Sequence, residues 1–264
     1  MTLWEEGYVL GATCRDLPDI HGLLEQVEEL FAVREPALQS FVPEKGRFAR
    51  LHREVEKIFV DHPKSLYRDY LFGLPIAVKD VFRVEGLPTR AGSRLPPEEF
   101  AGPEAEVVAK LRKAGMLVLG KTVSTEFAYY APGPTRNPHH AEHTPGGSSS
   151  GSAAAVGAGL CPMALGTQTI GSIIRPAAYC GVVGFKPSFG RISTQGLVPL
   201  APSLDHVGFL TSDVLGAITL SVSLLSNYDS SILSMFRQPV LGIPEGPYLS
   251  NATEEGLAHF RDTC

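Results

Sequence analysis

Between Pro145 and Ser188 the chain carries two serine-bearing glycine turns, Gly147-Ser148 and Gly171-Ser172, separated by a run of small residues that includes Ala153-Ala-Ala155. Small residues pack tightly but offer little to bind a ligand. Glycine adopts backbone conformations that other residues avoid and lets successive N–H groups point at one anion. A serine in such a turn is therefore either flexible filler or a nucleophile beside an anion pocket, and the rest of the chain must decide which.

Around this stretch the pattern alternates between strand and helix signals. Apolar residues at helical spacing from Leu17 to Arg34, with Pro36 as a stop, predict a first helix, and Phe48 to Phe59 predicts a second. Together they suggest an N-terminal helical layer within residues 1–70. Short apolar runs at Leu74–Val78, Met116–Leu119, Pro162–Gly166, Val182–Lys186 and Val240–Ile243 read as buried strands. Helices are expected at Ala105–Ala114, Ser124–Tyr130, Gly151–Gly159, Ile173–Tyr179 and Thr211–Leu225, with a last one opening near Ala252. Strand, helix, strand at this spacing implies an α/β fold: a mixed, largely parallel β-sheet flanked by helices. No linker divides the chain, so residues 1–264 are expected to form one domain.

Composition removes several classes of function. A net charge of -5 without a basic block argues against direct nucleic-acid binding. The most apolar stretch, Ala153 to Ile174, is interrupted by five glycines and prolines (Gly157, Gly159, Pro162, Gly166 and Gly171), which is unsuited to a membrane span. Cys14, Cys161, Cys180 and Cys264 lie far apart, with no zinc-like pairing, and read as reduced thiols of a cytoplasmic protein.

Individual motifs compete. Gly151 is followed by Ser152-Ala153 rather than the Lys-Ser/Thr of a phosphate loop. Gly147-Ser-Ser149-Ser-Gly151 matches a nucleophile elbow, but no strand precedes it, and Asp205 and His206 are adjacent rather than separated as its partners would be. His139-His-Ala-Glu142-His143 matches a zinc-protease pattern, but Pro138 and Pro145 enclose it and oppose the helix such ligands need. Lys79 closes an apolar strand. It is either a solvated surface charge or, if buried near the serines, an amine whose pKa falls far enough to act as a base.

Taken together, Gly73-Leu-Pro-Ile-Ala-Val-Lys-Asp80, the Pro145–Ala154 block, Gly166-Thr-Gln-Thr-Ile-Gly-Ser-Ile-Ile-Arg-Pro176 and Cys180-Gly-Val-Val-Gly-Phe-Lys-Pro-Ser188 resemble the amidase signature family. The resemblance runs from about Leu17 to the end of the sequence. It implies amide hydrolysis by a Ser–Ser–Lys triad without cofactor or metal. Ser172 falls on the acylated nucleophile, Ser148 on the bridging serine that follows a cis peptide, and Lys79 on the base. It further implies an oxyanion hole from the N–H groups of Thr169, Ile170, Gly171 and Ser172, with Ser149, Gln168 and Arg175 facing substrate. Arg175 is suited either to gripping a substrate carboxylate or to a structural ion pair.

For that chemistry the Lys79 pKa must fall from about 10.4 toward about 7–8, at a cost of roughly 4 kcal/mol. Two departures from the family pattern bear on it. Ile170 stands where a glycine is usual, and a β-branched residue at positive φ would distort the hole or narrow the pocket. The sequence also stops where family members continue, so the C-terminal part of the fold is expected to be lacking. Three readings follow: a small-molecule amidase, a glutamine-hydrolysing subunit of a tRNA-dependent amidotransferase, or a non-catalytic scaffold. Either a homodimer or a partner subunit is compatible with them.

Overall fold

A computed structural model describes residues 17–61, 71–229, 231, 240, 242–243 and 246–264. The chain divides into two compact units, Met1–Tyr228 and Asp229–Cys264.

In the first unit, α1 (Leu17–Leu38) and α2 (Arg47–Asp61) precede β1 (Pro75–Lys79). Next come α3 (Glu106–Lys113), β2 (Leu117–Thr122), α4 (Ser150–Gly157), β3 (Met163–Gln168), α5 (Ile174–Cys180), β4 (Val183–Phe185), β5 (His206–Thr211) and α6 (Val214–Leu224). The strands form one sheet in the order β2-β1-β3-β5-β4. It is mixed: β2, β1 and β3 run parallel, whereas β5 is antiparallel to both β3 and β4.

The two-residue period of each strand splits the core into two layers. Ala77, Leu117, Leu119, Ala164 and Leu210 join the cluster made with α1, α2, α4 and α5. Ile76, Val78, Val118, Met163, Leu165, Val207 and Phe209 join the opposite cluster with α3 and α6. Fully burying such a side chain stabilises the fold by about 1.5–3 kcal/mol. The small residues of α4 have a steric reason as well: a Cβ added at Gly151 would lie 2.2 Å from the Ser40 carbonyl and 2.5 Å from the Val123 nitrogen. The first turn of α4 is thus held against the backbone that follows β2.

In this unit four expectations change. Pro36 does not end α1, which continues to Leu38; so close to the C-terminus a missing N–H removes only one helical bond. Residues 206–210, not assigned from the sequence, form β5 together with Thr211. Gly208 interrupts its alternation because a Cβ there would meet the Phe185 carbonyl at 2.2 Å. The helix expected from Thr211 starts at Val214, where the Asp213 carboxylate accepts from the Gly216 N–H at 2.8 Å. Ser124–Tyr130 shrinks to a single 3-10 turn, Glu126–Ala128.

In the second unit, Val240, Gly242 and Ile243 are not in a strand, and Val240 is almost fully exposed; Leu241 lies outside the described residues. Two helices follow, α7 (Pro247–Ser250) and α8 (Glu254–Thr263), the latter capped by the Thr253 hydroxyl accepting from Gly256 N–H.

Candidate active site

Strand alternation carries Lys79, two residues past Ala77, toward the α4 side of the sheet. Its Nζ donates to Ser148 Oγ at 2.7 Å and to Thr167 Oγ1 at 2.8 Å. Lys79 is fully buried and Ser148 almost so. Burial pushes the amine down to about 7, opposed by the negative charge of Asp205. A lysine at that value is largely neutral just above physiological pH and able to take a proton.

Ser148 follows a cis peptide bond from Gly147. Its turn is tied to the Ser172 turn by the Ser149 N–H donating to the Ser172 carbonyl at 3.2 Å. Among the described residues no hydrogen bond joins the Ser148 and Ser172 hydroxyls. Lys79 and Ser148 are thus in direct contact, and Ser172 joins them through the backbone. Ser149 turns inward instead, its hydroxyl donating to the Thr167 carbonyl at 3.2 Å.

The segment from Thr169 to Ser172 leaves β3 and enters α5. Gln168, expected to face substrate, spends its side-chain oxygen on the N–H groups of Ile173 and Ile174, at 2.8 and 3.0 Å. The N–H groups of Ile170, Gly171 and Ser172 donate to no acceptor among the described residues. Consecutive unpaired amides at a chain reversal form a ready anion cradle. The distortion expected from Ile170 does not occur: its φ is not positive, and its side chain is 85% exposed. A β-branched residue pointing into solvent leaves its own N–H free and the cradle open.

Arg175, one turn past Ser172, sends Nε and Nη2 to the carbonyl of Gly147, at 3.0 and 2.7 Å. The guanidinium therefore grips the carbonyl of the residue ahead of Ser148, and among the described residues it forms no ion pair. Beside it lies a cavity of about 260 Å³, lined in part by Tyr129, Tyr130, Gly147, Arg175 and Tyr179.

Two groups escaped the sequence reading. Thr167 shares the lysine proton donors with Ser148; a threonine near the end of a strand gives no signal of this. The other is a buried ion pair next to Lys79, with Lys121 Nζ 2.9 Å from Asp80 and 2.8 Å from Thr89 Oγ1. Burial lowers the Lys121 pKa, and Asp80 opposes that fall. An irregularity in the β1–β2 register, which pairs Ile76 with Val118 but Ala77 with Gly120, sets Lys121 opposite Val78. The elbow reading does not assemble: Ser149 faces Thr167, Asp205 bonds Thr169, and His206 Nδ1 donates to the Leu204 carbonyl at 2.7 Å.

The family model described as Amidase matches residues 53–253. A glutamyl-tRNA(Gln) amidotransferase subunit of Syntrophobacter fumaroxidans is 47% identical over 189 residues, covering 69% of this chain and 36% of its own length. The protein of the same name from a Synechococcus strain is 40% identical over 227 residues, covering 82% of this chain and 44% of its own. Among solved structures, the native peptide amidase of Stenotrophomonas maltophilia superposes with a TM-score of 0.71 at 31% identity, covering 88% of this chain and 49% of that one. This chain therefore spans between a third and a half of the length of these three proteins.

Proposed function

The chain belongs to the amidase family, and from that premise we propose that it hydrolyses a carboxamide bond through an acyl-serine intermediate on Ser172. Neutral Lys79 takes the Ser148 proton, and Ser148 takes the proton of Ser172 as Ser172 Oγ bonds to the amide carbon. The carbonyl oxygen, now an anion, is received by the N–H groups of the segment from Thr169 to Ser172. The C–N bond then breaks, its electron pair leaving with the nitrogen, which picks up the proton returned along the relay. Water, deprotonated by the same relay, releases the acid and restores the serine. The observation that carries this reading is the buried Lys79 amine, at 2.7 Å from Ser148 Oγ and with its pKa pushed down to about 7. The contact between the two serine hydroxyls closes when substrate fills the pocket, as catalytic hydrogen bonds commonly do.

A second reading is favoured by the relatives. Curated proteins named as glutamyl-tRNA(Gln) amidotransferase subunits match this chain at 40–49% identity over the shared parts. On that reading the amide is the side chain of glutamine, and the ammonia released passes to a tRNA-dependent partner subunit. Both readings use the same serine.

A fluorophosphonate probe followed by intact-mass and peptide mapping tests the shared chemistry. One adduct on Ser172, absent in Ser172→Ala, is expected; an unlabelled Ser172 in the folded chain rejects it and favours the scaffold. Ammonia release from glutamine only when partner subunits are added selects the second reading.

A further inference from the structure

Asp205 sits one residue ahead of β5, and Thr169 one residue past β3. These strands pair antiparallel up to Gln168 opposite His206, so the two residues meet at the mouth of the sheet. Thr169 Oγ1 donates to Asp205 Oδ1 at 2.6 Å. The other carboxylate oxygen, Oδ2, accepts from the N–H groups of Leu200 and Ala201, both at 2.9 Å. Asp205 is only 6% exposed, and three hydrogen bonds on one buried carboxylate hold it tightly. It thus fastens the first residue of the Ser172 segment to the turn that leads into β5.

We propose that Asp205 is a positioning residue of the amidase site, setting the Thr169–Ser172 segment through Thr169. This rests on the relay proposed above. An oxyanion cradle is effective only when its donors are fixed before charge develops, and Thr169 is the one residue of the segment whose side chain is anchored to a buried charge. The same carboxylate also bears on the charge of the amine. Ionisable groups at this end of the sheet include Lys79 on β1, Asp80 already paired with Lys121 on β2, Asp205, His206 on β5, and Arg175 of α5 on the Gly147 carbonyl. Asp205 is the charge that raises the proton affinity of Lys79 against desolvation.

Two substitutions separate the parts. Thr169→Val removes the tie and keeps the carboxylate. Asp205→Asn removes the charge and, because an amide NH₂ cannot accept, also releases Leu200 and Ala201 or Thr169. The readout is the rate of fluorophosphonate labelling of Ser172 against pH, in the full chain. Thr169→Val should label about tenfold or more slowly with its acid limb unmoved. Asp205→Asn should label slowly too, with its acid limb displaced to lower pH, because a lysine without its counter-charge gives up its proton more readily.

Wild-type rates in Thr169→Val, or in a folded Asp205→Asn, overturn the inference while leaving the relay intact. If Asp205→Asn fails to fold, Thr169→Val alone decides. A wild-type chain that does not label at Ser172 removes the relay, and this inference with it.

Discussion

Arg175 holds the carbonyl of Gly147 with two of its N–H groups, at 3.0 and 2.7 Å, and so couples the turn after Ser172 to the residue ahead of Ser148. The two serines lie far apart in sequence, and this fork, with the Ser149–Ser172 backbone bond, is what joins their turns. A lysine is a point donor and cannot reproduce the planar fork. Arg175→Lys should therefore lower kcat about tenfold, and by the same factor for an amide with a carboxylate and one without. Turnover of such a matched pair checks it; a loss confined to the carboxylate-bearing substrate would restore the substrate grip.

The relay needs Lys79 neutral, and its pKa is about 7. Adduct formation at Ser172 should rise with pH through that value and level off above it. Lys79→Arg should be nearly inactive across the range, because a guanidinium keeps its proton and cannot act as a base. A flat profile in the wild type would remove the lysine from the mechanism.

The same lysine costs stability. In the unfolded chain its pKa returns to the ordinary lysine value of 10.5, whereas in the fold it is about 7. Between those values the unfolded chain binds the extra proton, so stability climbs as pH rises through that window, and below it the penalty is complete. Lys79→Met should abolish turnover yet stabilise the fold by on the order of 3 kcal/mol at about pH 6, the gain fading by about pH 10. Urea midpoints at the two pH values measure it; an equal change at both would show that Lys79 is charged in the fold.

How much of this is legible in the sequence depends on whether a residue acts through its type or through its neighbours. Lys79, Ser148 and Ser172 stand in turn and strand-end contexts whose chemistry is written in residue type, and the fold does bring their segments together. Gln168 and Ser149 share those motifs, yet the backbone claims both side chains, one for the start of α5 and one for the Thr167 carbonyl. Strand β5 is hidden by Gly208, whose lack of a side chain answers to the Phe185 carbonyl rather than to any local preference. Lys121 looks like punctuation after a strand; only the register irregularity of β2 turns it to Asp80. Contacts between residues distant in sequence leave no trace in local periodicity.

That ion pair yields the last prediction. Lys121 and Asp80 are each at most 3% exposed and 2.9 Å apart. Asp80 also accepts from the N–H groups of Arg90 and Gly92, at distances of 3.2 and 3.4 Å, and its own N–H donates to the Thr122 carbonyl. The pair therefore pins the loop that leaves β1 directly behind Lys79. Asp80→Asn strands a buried ammonium and should cost about 3–5 kcal/mol. Asp80→Asn combined with Lys121→Met leaves no charge without a partner and should recover much of that loss, since replacing a buried pair by uncharged groups is often close to neutral. The double-mutant cycle, read by chemical unfolding, should thus give a coupling of at least about 2 kcal/mol. Additive losses would mean that each side chain is held by its other partners, Thr89 for the lysine and the loop amides for the aspartate, and that the charges themselves do not bind the loop.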